Sequence, residues 1–153
     1  MQLDTQIAIW RRSLAPILPD ITQFALRLGI GGVFWTSGRT KVDTGLSVSE
    51  SAVELFREEY RLPLISPELA AHLATYAEHL CPLLLLVGLA TRWSAFALFG
   101  MTFVIQTLVY PDAFLSVHLG WFAMASAIIV YGPGRFSLDH AIMSRRQSVP
   151  LLS

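Results

Sequence analysis

The feature that most constrains this chain is a set of four continuously apolar runs. They cover residues 21–38, 68–90, 93–110 and 113–131. Each run has about 20 residues, the length at which an α-helix crosses ~30 Å of hydrocarbon. Because the runs do not alternate between apolar and polar residues, they predict helices and not the strands of a membrane barrel. The expected fold class is therefore all-α, a transmembrane four-helix bundle.

The composition points to the same class of protein. Hydrophobic residues make up 54% of the chain, charged residues only 14%, and the mean hydropathy is +0.54. Ordinary soluble domains carry about 25% charged residues. The 153 residues form one membrane domain, since the length leaves no room for a second. The formal net charge is +0, so no affinity for nucleic acid is expected.

The topology is predicted from the number of spans and the positive charges. Four spans place both termini on one side, and that side holds six of the 11 Lys and Arg residues. This bias favours termini in the cytoplasm. Residues 1–20 are polar and show no cleavable signal, so the first span is expected to stay in the mature protein. Residues 2–14 are predicted to form a short helix at the membrane surface.

The loop between the first and second spans contains one amphipathic stretch. Residues 47–60 place apolar side chains at helical spacing, opposite a face of Glu and Arg. The pattern predicts an interfacial helix on the outer surface, where it would serve as a lid or docking element. The alternative is a helix that simply packs on the bundle.

Hydrogen-bonding residues inside the spans are the candidates for function. Counting 1.5 Å per residue from the outer end places His72, Gln106 and His118 at one depth in the outer leaflet. Tyr76 follows His72 on the same helical stripe, and Lys41 lies at the outer end of the first span. Such a layer would suit a polar headgroup, a quinone ring or a small anion. The alternative is that each histidine only hydrogen-bonds a neighbouring helix.

A second group of ionisable residues is predicted deeper in the membrane. Arg27 and Glu78 are expected to form a buried ion pair that fixes the helix register, since unpaired charges are costly there. With His79, the same residues would alternatively form a proton path. Two histidines on different helices are weak evidence for a metal, so no tightly bound metal or haem is expected. Cys81 is the only cysteine, which excludes an internal dithiol.

Three segments of the chain resemble the DoxX family of small four-helix bacterial membrane proteins. They are LRLGIGGVFWTSGRTKV at 26–42, LFREEYRLPLISPELAAHLATYAEHLCPLLLLVGLATR at 55–92 and YGPGRFSLDH at 131–140. The resemblance implies a membrane subunit linked to redox chemistry, in the bacterial inner membrane, related to thiosulfate:quinone oxidoreductase. It also implies that Arg27, Lys41, Glu78 and Arg92 occupy characteristic polar positions of the family, without defining catalytic residues.

Two functional hypotheses follow from these observations. The first is a subunit of a quinone-linked sulfur or thiol oxidoreductase, in which the bundle binds quinone and a partner protein carries the sulfur chemistry. The second is a non-enzymatic accessory or scaffold protein that serves metal or oxidative-stress handling. Expected partners are membrane lipid and either another protein or further copies of the chain. A small transporter is less favoured, because no inverted repeat is visible.

Overall fold

The computed structural model describes residues 14–147, which form helices joined by loops, with no β-strand among them. The helices are α1 (Leu18–Arg39), α2 (Glu50–Leu55, extended by a π-helical turn Phe56–Tyr60), α3 (Pro67–Val87), α4 (Thr91–Val104, extended by a π-helical turn Ile105–Val109), α5 (Leu119–Tyr131, preceded by turns Pro111–Ala113 and Phe114–His118) and α6 (Leu138–Gln147). The all-α prediction is confirmed. The helix predicted at residues 2–14 lies, except for its last residue, outside the described residues.

Three stretches of the described residues are long and apolar enough to cross a membrane. They are Pro67–Val87, Thr91–Val109 and Pro111–Tyr131. They confirm the prediction of several membrane-spanning helices. Helix α1 is not among them, although it has 22 residues. The fourth span and the interfacial position of α2 therefore remain predictions.

The helix ends follow local sequence signals. Ser66 caps α3 by accepting a hydrogen bond from Leu69 N at 3.3 Å, and Pro67 opens its first turn. The helix stops at Gly88, which has a left-handed φ of 72°. Helix α5 stops at Gly132, which has a φ of 84°.

The register between α1 and α3 is set by close contact at glycines. A Cβ atom on Gly31 would lie 3.7 Å from the Pro82 backbone, and one on Gly38 would lie 2.9 Å from His79. The end of α1 therefore lies beside the middle of α3. The main core, which includes Ile30, Phe34, Leu85, Leu98 and Ile128, fills the space among α1, α3, α4 and α5.

Helix α2 covers the part of α3 that α1 does not reach. Ala52 and Phe56 of α2 are each 3% exposed, and Phe56 packs against Ala70 and Ala71 of α3. We call the end of the molecule where α2 lies and α4 joins α5 the upper end. The opposite end, where α3 joins α4 at residues 88–90, is the lower end. The first turns of α3 thus pack on α2, and its second half packs on α1.

Candidate functional site

A buried ion pair joins the end of α1 to the middle of α3. Lys41 Nζ lies 2.8 Å from Glu78 Oε2, and the two side chains are 4% and 2% exposed. The ammonium also donates to Ser37 O at 3.2 Å and to Ser37 Oγ at 2.8 Å. An ammonium has three N–H donors, so this set satisfies all of them. We call Lys41 and Glu78 the upper pair.

The predicted ion pair between Arg27 and Glu78 is not present. Counting residues from the outer end of each span assumes that the upper ends of the first two spans are level with each other. In the structure α3 begins at Pro67, about ten residues above the level of Gly38, so Glu78 lies beside the end of α1. Arg27 lies 11 residues before Gly38, about 16 Å lower along the helix. Lys41, which was expected in the outer layer, is the ion-pair partner of Glu78 in place of Arg27.

An apolar cavity of about 390 Å³ adjoins the upper pair. It lies between the extension of α2, the upper part of α3 and α4. Its walls are apolar except for Glu78 and Tyr60, and they comprise Phe56, Tyr60, Leu62, Ile65, Ala70, Leu73, Ala74, Ala77, Glu78, Ala97, Gly100, Met101, Val104 and Ile105. An apolar cavity with a few convergent polar groups is the usual form of a small-molecule site. We call it the upper cavity.

The extension of α2 roofs this cavity and is tied to its walls by polar contacts. Tyr110 at the end of α4 donates its hydroxyl hydrogen to Glu59. Arg57 bonds Glu68 of α3 at 2.8 Å. Both contacts lie at the exposed rim, so they hold the roof in place with little contribution to stability.

Tyr60 keeps its proton at all physiological pH values. Burial, reinforced by the negative charge of Glu78, raises the pKa of Tyr60 to about 12. Its hydroxyl therefore remains a hydrogen-bond donor in the wall of the upper cavity. The sequence placed Tyr60 only on the apolar face of the 47–60 helix, and the cavity that gives it a role is formed by three separate elements.

The predicted outer layer forms only in part. Gln106 Oε1 accepts a hydrogen bond from His118 Nδ1 at 2.6 Å, while its amide nitrogen donates to Pro111 O at 2.7 Å. Since the amide nitrogen is the donor to Pro111, the histidine must carry its proton on Nδ1. His118 is 2% exposed and its ring lies 5.1 Å from that of Trp121. These bonds brace the turn between α4 and α5.

The structure does not bring His72 and Tyr76 to this pair. Both side chains are exposed on α3, where His72 Nδ1 lies 2.7 Å from Glu68 O and the two rings are 6.1 Å apart. Neither residue lines the upper cavity. The helical stripe predicted from their spacing exists, but it faces outward.

His79 lies beside Glu78 and is buried. Its Nδ1 pairs with Thr75 O at 2.7 Å, its Nε2 has no partner, and its ring meets Trp35 at 5.1 Å. The described residues contain no group of three or more His, Cys, Asp or Glu side chains that would hold a metal. Cys81 is a buried free thiol in the core.

A second polar cluster lies at the lower end. Asp139 accepts hydrogen bonds from Ala90 N at 2.9 Å and Thr91 N at 2.8 Å, and its own backbone N–H donates to Gly88 O at 2.8 Å. Arg27 donates from Nη2 to Phe136 O. We call Arg27, Gly88, Phe136 and Asp139 the lower cluster. It joins the turn between α3 and α4 to the segment 132–140.

Asp20 and Arg135 extend these contacts to the start of α1. Asp20 accepts from Arg135 N at 2.7 Å and from Arg135 Nε at 2.6 Å. The backbone N–H first, and then the guanidinium, hold the pKa of Asp20 below its usual value. The sequence carries no local sign of this anchoring, because the partners lie 115 residues apart.

The DoxX family model matches residues 22–111. This range includes α1 from its second turn, α2, α3 and α4, and with them the upper pair, Tyr60 and Arg27. No curated protein and no solved structure matches the chain. Since the match covers more than half of the 153 residues, the chain belongs to the DoxX family.

Proposed function

We propose that this chain is the quinone-binding membrane subunit of a redox complex, and that the quinone ring occupies the upper cavity. DoxX proteins are membrane proteins that are often subunits of redox-related complexes. The observation that carries the proposal is Glu78, the carboxylate of a buried ion pair, in the wall of an otherwise apolar cavity. A quinone combines an apolar ring and tail with two polar carbonyls, which is the chemistry that this cavity offers.

The residues that would hold the quinone differ from those predicted from the sequence. Tyr60 supplies a protonated hydroxyl, and Glu78 with Lys41 supplies a charged pair whose hydrogen bonds can rearrange. The size of the cavity, about 390 Å³, lies within the usual range for ligand sites, roughly 300–1,000 Å³. His72, Tyr76, Gln106 and His118 are not required.

A quinone bound here would accept two electrons and two protons, and the chain supplies only part of that chemistry. Tyr60 and the upper pair are groups that can hold and deliver protons beside the cavity. The electrons must come from elsewhere, because the one cysteine is buried in the core and the chain has no dithiol. We therefore assign the oxidation of a sulfur or thiol substrate to a partner protein.

The proposed arrangement in the membrane uses all four long helices. Helix α1 enters from the cytoplasmic side together with the lower cluster, and α3, α4 and α5 cross the bacterial inner membrane. Helix α2 lies on the outer face as the roof of the upper cavity. Both termini are then cytoplasmic, in agreement with the distribution of Lys and Arg.

The test fills the cavity without disturbing the ion pair. Gly100 lines the cavity, and a Cβ atom there would meet nothing within 4 Å. Gly120 on α5 is equally open but lies outside the cavity. Gly100→Leu is expected to lower the affinity for a ubiquinone or menaquinone analogue at least tenfold, while Gly120→Leu leaves it unchanged. Binding is measured by titration of the purified protein in detergent, together with extraction of copurified quinone.

The same titration decides between the two functional hypotheses. The upper pair is internally satisfied and so is stable without a ligand, which is the observation that favours a non-enzymatic scaffold. Wild-type protein that binds no quinone, or Gly100→Leu protein that binds it as well as wild type, would overturn the quinone assignment. Either result would leave the accessory role as the better account.

A further inference from the structure

Arg27 is a buried cation without an anionic partner. Its side chain has 0% exposure, and of its three nitrogens only Nη2 has a hydrogen-bond acceptor, the carbonyl of Phe136. Nε and Nη1 have no partner. The guanidinium lies 5.3 Å from the centre of the Phe24 ring, which compensates only a small part of its charge. An unpaired buried charge is costly, so a missing counter-ion is indicated.

The chain itself does not supply that counter-ion among its described residues. The carboxylate whose charge acts on Arg27 is that of Asp139. Its two oxygens accept the backbone N–H groups of Ala90 and Thr91, and neither oxygen accepts a hydrogen bond from Arg27. No salt bridge to Arg27 is formed within residues 14–147.

An apolar cleft lies against Arg27. It has a volume of about 260 Å³ and runs between α1 and α3, with Arg27 at one end and Leu28, Gly32, Trp35, Leu83 and Leu86 along its walls. The outer walls are open to the surroundings of the helices, since Trp35, Leu83 and Leu86 are 38%, 48% and 50% exposed. We call this the lower cleft. An apolar groove that is open to lipid therefore lies against a residue that carries a buried positive charge.

The height of Arg27 in the fold matches that of a lipid headgroup. The guanidinium lies beside Gly88, at the turn where α3 ends and α4 begins. In a membrane-spanning chain this turn lies at the boundary between hydrocarbon and headgroups. Gly32 and Trp35 lie one to two turns further along α1, at the depth of the acyl chains.

We propose that the lower cleft binds an amphiphile with an oxyanion headgroup, which pairs with Arg27 while its acyl chain lies in the groove between α1 and α3. An anionic phospholipid and a free fatty acid share this chemistry. The site is separate from the upper cavity, because the two share no lining residue. It also does not depend on quinone binding.

The experiment compares lipids that differ only in headgroup charge. The purified full chain, stripped of lipid in detergent, is titrated with phosphatidylglycerol or phosphatidylcholine of identical acyl chains, and bound lipid is counted by native mass spectrometry. Wild type is expected to prefer phosphatidylglycerol at least tenfold. Arg27→Gln is expected to reduce this ratio to about one, and Arg27→Lys to retain part of it. A ratio near one in wild type, or an unchanged ratio in Arg27→Gln, would overturn the proposal.

A second variant keeps the test decisive if Arg27→Gln fails to fold. Gly32 lines the cleft, and an added Cβ atom there would have no atom within 4 Å. Gly120 is equally open but lies outside the cleft. Gly32→Leu is expected to weaken phosphatidylglycerol binding at least tenfold, and Gly120→Leu to leave it unchanged. Equal binding by all three proteins contradicts the proposal.

Competition then identifies the source of the oxyanion. Displacement of phosphatidylglycerol by oleate would show that a carboxylate on an acyl chain also fits, which supports the shared chemistry. Displacement by millimolar inorganic phosphate alone would show a free-anion site, and this outcome would overturn the assignment to an amphiphile.

Discussion

The upper pair and the lower cluster both bury charge, but their charged side chains bond to different kinds of partner. At the upper end the bond that matters joins two side chains, Lys41 and Glu78. At the lower end each charged side chain bonds to the backbone of another segment, as Asp139 does to Ala90 and Thr91. Two charged side chains that pair with each other can both be replaced, and no group is then left without a partner. A backbone group stays in place when its side-chain partner is replaced, so it loses its hydrogen bond. The upper pair is thus suited to rearrange around a ligand, and the lower cluster is suited to fix the chain.

The largest expected effect separates these two kinds of bonding. Lys41→Met leaves the Glu78 carboxylate buried without a partner and is expected to lower the free energy of unfolding by about 3–5 kcal/mol. The double variant Lys41→Met with Glu78→Met removes both charges and is expected to recover most of that loss. Denaturant titration in detergent, followed by circular dichroism, measures both values.

An exposed ion pair provides the control for this cycle. Arg61 and Glu58 are 70% and 60% exposed and 3.3 Å apart. Arg61→Met is expected to change the free energy of unfolding by less than about 1 kcal/mol. If the double variant remains as unstable as Lys41→Met alone, the upper pair is not an isolated two-residue unit and the contrast with the lower cluster fails.

The difference between the two regions also explains what the sequence could predict. Continuous apolar runs specify helices, and glycines such as Gly88 and Gly132 specify where they stop, because these are local properties of the chain. The need for a partner at Glu78 was equally readable, since an isolated carboxylate in an apolar run is costly. The identity of that partner could not be predicted, because it depends on the axial register between α1 and α3.

That register is fixed by contacts between distant residues. Gly31 meets Pro82 and Gly38 meets His79 across about 40 to 50 positions in the sequence, and the depth count had no access to either contact. The same reasoning explains the error at His72. Its helical stripe was predicted correctly, but the face of α3 that turns toward α4 depends on packing. Gln106 and His118 came together because only a short turn separates them.

The second prediction concerns the close packing of the lower cluster at Gly88. Gly88 has a left-handed φ of 72°, and a Cβ atom there would lie 2.7 Å from Ser137 Cα, as well as against Arg27. Gly88→Ala is therefore expected to cost about 3 kcal/mol, the sum of backbone strain and displacement of the segment 132–140. The free energy of unfolding is measured as for the ion-pair variants.

Gly45 is the matched control, since it has nearly the same φ of 71° but no atom within 4 Å of an added Cβ. Gly45→Ala is expected to cost only about 1 kcal/mol, from the backbone conformation alone. Equal losses in the free energy of unfolding at the two glycines would mean that the segment 132–140 moves away from an added Cβ atom at little cost. The lower cluster would then not fix the chain.

The smallest expected effect is a pH dependence at the start of α1. The pKa of Asp20 is held below its usual value, chiefly by the backbone N–H of Arg135 and then by its guanidinium. A carboxyl group whose pKa is lower in the folded state stabilises the fold above its unfolded pKa of about 4, and this contribution is lost as the pH falls through the folded value. Wild type is therefore expected to melt at a higher temperature than Asp20→Asn at pH 7, and the difference is expected to shrink steadily below pH 4.

A variant of the partner residue separates backbone from side-chain bonding. Arg135→Gln removes the guanidinium but keeps the backbone N–H that makes the larger contribution, so most of the pH-dependent difference is expected to remain in that background. Complete loss of the difference in Arg135→Gln would show that Asp20 depends on a side-chain pair. The bonding at the start of α1 would then resemble that of the upper pair and not that of the backbone-anchored lower cluster. In that case the loss caused by replacing Arg135 could be recovered by replacing Asp20 as well.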